Sequence, residues 1–128
     1  MLPDQMEEDK MKFSEQLMRL DYAVALERLG GDEELLQEVA QLFLDEYPTL
    51  MSEIQQAVAA GNARRLERAA HSLKGSVANF GADVAVQAAL ALEKIGRSGD
   101  LTGVGPAYQQ LASVMNALHP SFEKLAAQ

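Results

Sequence analysis

His71 stands in a stretch whose residue types and spacing could do chemistry: Arg64, Arg68, His71, Lys74, Gly75 and Ala78. Threaded through them are Leu66, Ala70, Leu73, Val77 and Phe80, at the 4, 3, 4, 3 spacing of an amphipathic helix. At about 100° per residue, His71 falls about 140° from the centre of that apolar stripe, Lys74 about 80° away, and Gly75 opposite it. A glycine inside a helix costs about 1 kcal/mol relative to alanine. A solvent face is normally filled with long polar side chains, yet here small Gly75 and Ala78 follow the histidine. They leave the imidazole clear for another protein to approach.

The chemistry that suits such a face is phosphoryl transfer. A neutral imidazole nitrogen is a good nucleophile near pH 7, and its phosphoramidate is labile enough to pass the group on. Such a step needs positioning and charge neutralisation above all. Lys74, one turn on, can sit near phosphoryl oxygens, and a carboxylate from a neighbouring helix could hold the second ring nitrogen. An ordinary exposed histidine beside a lysine accounts for the same residues, and the pattern alone does not separate the two readings.

The elements that would position this face are all helical. Ala, Leu, Glu and Gln abound, and alternating β-branched runs are lacking. Asp21 can cap a short helix over 22–29, closed by Gly30-Gly31. Asp32, with Glu33 and Glu34 behind it, opens a long apolar pattern that stops at Gly61. Pro48 inside it predicts a kinked helix or two stacked ones. Asn62 can cap the His71 helix, predicted from 63 to about 80 and closed by Gly81. Asp83 is expected to cap a helix over 84–96, followed by a loop from Gly96 to Gly105. Pro106 suits the first turn of a last helix carrying Leu111, Met115, Leu118, Phe122 and Leu125. Pro120 should bend it. The expected fold is all-α: an antiparallel four-helix bundle with a short additional N-terminal helix. Residues 1–13 are expected to form a flexible arm and 14–128 the domain.

Bulk properties narrow the function classes. A chain of 128 residues, 48% of them hydrophobic, fits one domain with one core. With no cysteine there are no disulfides, thiolate nucleophiles or thiolate metal sites. No apolar run approaches the roughly 20 residues of a membrane span, and the acidic start lacks the apolar segment of a secretory signal. A cytoplasmic location without direct membrane contact is expected. A net charge of −8 argues against nucleic acid. The charge is unevenly spread: residues 1–53 hold 14 acids and 4 bases, residues 54–128 hold 5 acids and 7 bases. Arg64 and Arg68 therefore stand in the more basic half, where they could steer an acidic partner surface or be plain helix surface.

The string Ala70-His71-Ser72-Leu73-Lys74-Gly75-Ser76, followed by Asn79-Phe80-Gly81-Ala82, closely resembles the signature of histidine-containing phosphotransfer (HPt) domains of bacterial two-component phosphorelays. The upstream Leu29-Gly30-Gly31-Asp32-Glu33-Glu34-Leu35-Leu36, the Phe43 to Pro48 spacing and the later Leu92-Glu93 fit the same family. The likeness spans roughly residues 20–95. It implies that His71 is phosphorylated through Nε2, that Lys74 lies near the phosphoryl group, and that Gly75 admits a receiver domain. Glu93 falls at the position that accepts a hydrogen bond from Nδ1. If the helices on either side of Gly81-Ala82 pack antiparallel, His71 and Glu93 lie about equally far from the turn and so at one height. Val77-Ala78 departs from the family, where many members carry smaller residues, and this bears on the choice of partner.

The implied protein is a phosphorelay intermediate, not an enzyme, with no ATP site, cofactor or metal of its own. It is expected to be a monomer that meets receiver domains of response regulators and of a hybrid sensor histidine kinase. The phospho-accepting domain of a chemotaxis-type histidine kinase is an alternative, and a non-catalytic helical adaptor is another. Metal binding by carboxylates is disfavoured, since no Glu-x-x-His pair occurs. His119, beside Pro120 and without a motif around it, reads as a surface histidine.

Overall fold

A computed structural model describes residues 20–127, so the expected 1–13 arm and the expected start of the domain at 14 lie outside the described residues. The described residues form five helices and no strand: α1 (Tyr22–Arg28), α2 (Glu33–Ala60), α3 (Ala63–Ala78), α4 (Asp83–Ser98) and α5 (Val104–Ala126). None of these helices is long and apolar enough to cross a membrane.

The caps explain where the first three begin. The carboxylates of Asp21 and Asp32 accept from Val24 N–H and Leu35 N–H, and the Asn62 side chain accepts from Arg65 N–H. Each satisfies a backbone donor that the first turn leaves without a partner. Asp83 does not do this. The N-cap of α4 is Ala82, with no side-chain cap, and Asp83 is the first helical residue, where its charge suits the helix dipole.

Of the two forms expected at Pro48, α2 is one helix through the proline and not two stacked ones; apolar residues on both sides of it, Phe43 and Ile54 among them, are buried in the same core. Two further boundaries differ from expectation. α3 ends at Ala78, and three successive i→i−3 bonds from Asn79, Phe80 and Gly81 tighten the chain into the turn. α4 continues to Ser98, so Gly96 is helical and buried, and the connection to α5 is only 99–103.

The four long helices surround one core: α2 packs on α3 and α5, and α4 packs on the same two. Leu66, Ala70, Leu73, Val77 and Phe80, the stripe of α3, are all buried. Phe43, Phe80 and Phe122 meet at ring-centroid distances of 4.5–5.5 Å. α3 and α4 bury several small residues, Ala69, Ala70, Ala85, Ala88 and Ala89. At Gly96 the helices lie close together: a Cβ there would lie 2.6 Å from Glu67 N and 2.8 Å from Ala63 O. The turn at the other end is held from outside. Gly81 has a positive φ of 65°, and Asp21 N–H donates to Phe80 O at 2.8 Å.

Candidate functional site

Because the apolar stripe of α3 points inward, His71 must point out, and 67% of its side chain is exposed. Its partner comes from α4. Leu92 and Glu93 are both buried there, and Glu93, with 1% of its surface exposed, is the one charged residue in the interior among the described residues.

Glu93 Oε1 accepts three hydrogen bonds: from His71 Nδ1 at 2.9 Å, Lys74 Nζ at 3.2 Å and Arg97 Nη2 at 3.0 Å. Oε2 makes no directional hydrogen bond but lies 2.7 Å from Lys74 Nζ as an ion pair. Burial alone would raise the carboxyl pKa, yet the bonds from Lys74 first and His71 second outweigh it. They hold Glu93 below its ordinary value of 4.5.

An ionised carboxylate can only accept hydrogen bonds. The bonded Nδ1 must therefore carry the ring proton, and Nε2 keeps its lone pair in the neutral ring. That nitrogen belongs to a largely exposed side chain. The arrangement can attack an electrophile from solvent or from another protein.

Of the other residues singled out in the sequence, Lys74 joins this cluster directly, with a quarter of its side chain exposed. Gly75 is exposed, and a Cβ built on it would meet nothing within 4 Å, so no neighbour in this chain requires the glycine. Ala78, further along, is half-buried. Arg64 and Arg68 are exposed on the same helix, while half-buried Arg65 donates to Gln56 at 3.0 Å. His119 lies apart on α5, hydrogen-bonded through Nδ1 to the Tyr47 hydroxyl and 3.4 Å from Glu123. No three or more His, Asp or Glu residues are placed together to hold a metal among the described residues.

Two members of the cluster were not foreseen from sequence, Arg97 and Glu67. Arg97 Nε donates to Glu67 Oε2 at 3.0 Å while its Nη2 reaches Glu93. One signal was available, since Glu93 and Arg97 stand four apart on one helix, the spacing of a paired acid and base.

The family model of the Hpt domain matches residues 38–120, which takes in all of α3 and α4. Among solved structures, histidine-containing phosphotransfer protein B (HptB) from Pseudomonas aeruginosa PAO1 is similar in fold, with a TM-score of 0.77 and 23% sequence identity. The match covers 84% of this chain and 94% of that one. Among curated protein sequences, none matches this chain.

Proposed function

The chain belongs to the Hpt domain family, and on that premise we propose that it carries a phosphoryl group on His71 Nε2 between aspartates of receiver domains. The observation that carries this reading is the bond from His71 Nδ1 to the buried carboxylate of Glu93, which leaves Nε2 as the nucleophile.

The Nε2 lone pair attacks phosphorus of an aspartyl phosphate on a receiver of a hybrid sensor kinase. The Nε2–P bond forms as the P–O bond to the aspartate breaks, and the aspartate leaves as a carboxylate with that electron pair. The Nδ1 proton stays where it is, and Glu93 meets the positive charge that spreads over the ring. Lys74 turns toward the phosphoryl oxygens. Transfer to the aspartate of a response regulator runs the same exchange in reverse.

Gly75 and half-buried Ala78 give the incoming domain room beside the ring, and exposed Arg64 and Arg68 attract its acidic face. The protein works in this reading as a cytoplasmic monomer and an antiparallel four-helix bundle, a relay with no kinase site of its own.

The test is labelling. A receiver domain phosphorylated on its aspartate should transfer an acid-labile, base-stable phosphoryl group to this chain, and His71→Gln should abolish the transfer with helicity unchanged. Labelling only by an ATP-loaded kinase domain would favour a chemotaxis-type role. Failure of both donors, or labelling that survives in His71→Gln, overturns the assignment.

A further inference from the structure

Lys74 faces two demands that conflict. Its ammonium is bound to both oxygens of Glu93, at 2.7 and 3.2 Å. A phosphoryl group on Nε2 brings negative charge that calls for the same ammonium. On a flexible four-carbon stem, Lys74 can swing from one to the other. When it does, it leaves behind a carboxylate with 1% of its surface exposed. A buried carboxylate without a cation is costly and tends to take up a proton. A protonated Glu93 would no longer serve as a charged acceptor for His71 Nδ1, and the tautomer that frees Nε2 would lose its support.

Arg97 resolves the conflict. Its guanidinium is permanently charged and planar, and it spans two helices. Nη2 donates to Glu93 Oε1 at 3.0 Å, and Nε donates to Glu67 Oε2 of α3 at 3.0 Å. Glu67 stands one turn before His71, so the fork is braced on the helix that carries the nucleophile. We propose that Arg97, braced by Glu67, is a positioning residue that keeps Glu93 paired and fixed on His71 Nδ1 while Lys74 turns to the phosphoryl group. This rests on the phosphotransfer reading for its purpose, but the hold on Glu93 can be measured without any phosphoryl donor.

The experiment has two arms. In the first, ¹⁵N NMR on the neutral form of the ring reads the His71 tautomer in Lys74→Gln, Arg97→Gln and the double variant. Each single variant should keep the proton on Nδ1, because one cation remains on Glu93. The double variant should lose that preference. Should the double variant melt, Lys74→Gln with Arg97→Lys restores one cation beside Glu93 and should keep the proton on Nδ1.

In the second arm, transfer from phosphorylated chain to a receiver should slow roughly tenfold in Arg97→Gln, the low end of the scale seen when an outer partner of a metal-bound histidine is lost. Arg97→Lys should recover most of the rate, and Glu67→Gln should give a smaller loss. A double variant with the same tautomer as Lys74→Gln, or a wild-type transfer rate in Arg97→Gln, overturns the proposal. If the wild-type chain accepts no phosphoryl group, the phosphotransfer reading falls and this purpose with it, while the tautomer arm still decides whether Arg97 holds Glu93.

Discussion

His71 and Glu93 are separated by 22 residues in sequence and by 2.9 Å between Nδ1 and Oε1 across the α3–α4 contact. One of the pair is mostly exposed and the other sealed, at 67% and 1% of side-chain surface. The nucleophile is thus open to a partner while the group that sets its tautomer is shielded from water. A buried carboxylate tied to three donors is a stiffer guide than a solvated one, since it has no water to exchange with.

Removing that guide should change the tautomer before it changes the fold. In Glu93→Ala, His71 loses the carboxylate that accepts from Nδ1, and ¹⁵N shifts should report a rise of the Nε2–H form. Phosphotransfer should slow but persist, since the nucleophile remains. Stability should change little, since the donors left behind, His71, Lys74 and Arg97, are exposed or partly exposed and can turn to solvent. Unchanged tautomer populations would remove Glu93 from the site.

Acid should loosen the same cluster. Glu93 has its folded pKa depressed below 4.5, chiefly by the Lys74 bond. A group lowered in this sense adds stability that is fully present above its unfolded value and is lost as pH falls through the lower folded value. Urea denaturation of wild type and Glu93→Gln should therefore differ most above about pH 5 and converge as pH falls through the depressed folded value. A gap that stays constant across that range would mean that Glu93 is not held as an anion.

Gly75→Leu separates folding from docking. A Cβ at this position meets nothing within 4 Å, and the residue lies inside α3. Replacing a helix-interior glycine should leave stability unchanged or raise it by up to about 1 kcal/mol. The leucine would project from the face beside His71, so transfer to a receiver should fall sharply. Thermal melts and transfer assays on one preparation check both halves, and normal transfer would show that the glycine makes no room for a partner.

The helix of His71 was legible because its apolar stripe is unbroken and its cap, Asn62, is local. Cap assignments that depend on one residue and its next turn, Asp21, Asp32 and Asn62, agree with the observed starts. Asp83 misled because the preceding turn is set by tertiary contacts, with Asp21 N–H bonded to Phe80 O. Gly96 misled for a related reason. A glycine beside Arg97-Ser98-Gly99 has the composition of a loop, and nothing local says that another helix presses against it. Arg97 and Glu67 were missed because 30 residues separate them, and their meeting depends on that close approach.

Gly96→Ala tests whether helix spacing holds the site together. At this point α4 lies so near α3 that an added methyl would sit 2.6 Å from Glu67 N, 2.8 Å from Ala63 O and 2.9 Å from Glu67 Cα. All three are backbone atoms, which cannot turn aside as a flexible side chain can, so one helix must shift. In an exposed helix the same change would stabilise by about 1 kcal/mol. Here overpacking should outweigh that and destabilise by about 1–3 kcal/mol. The displacement falls beside the Arg97–Glu67 bond and one turn from Glu93. It should therefore lengthen the His71–Glu93 contact as well, seen as a loss of the Nδ1–H tautomer and slower transfer. A stabilised protein with an unchanged His71 tautomer would show that the two helices are free to part without cost to the site.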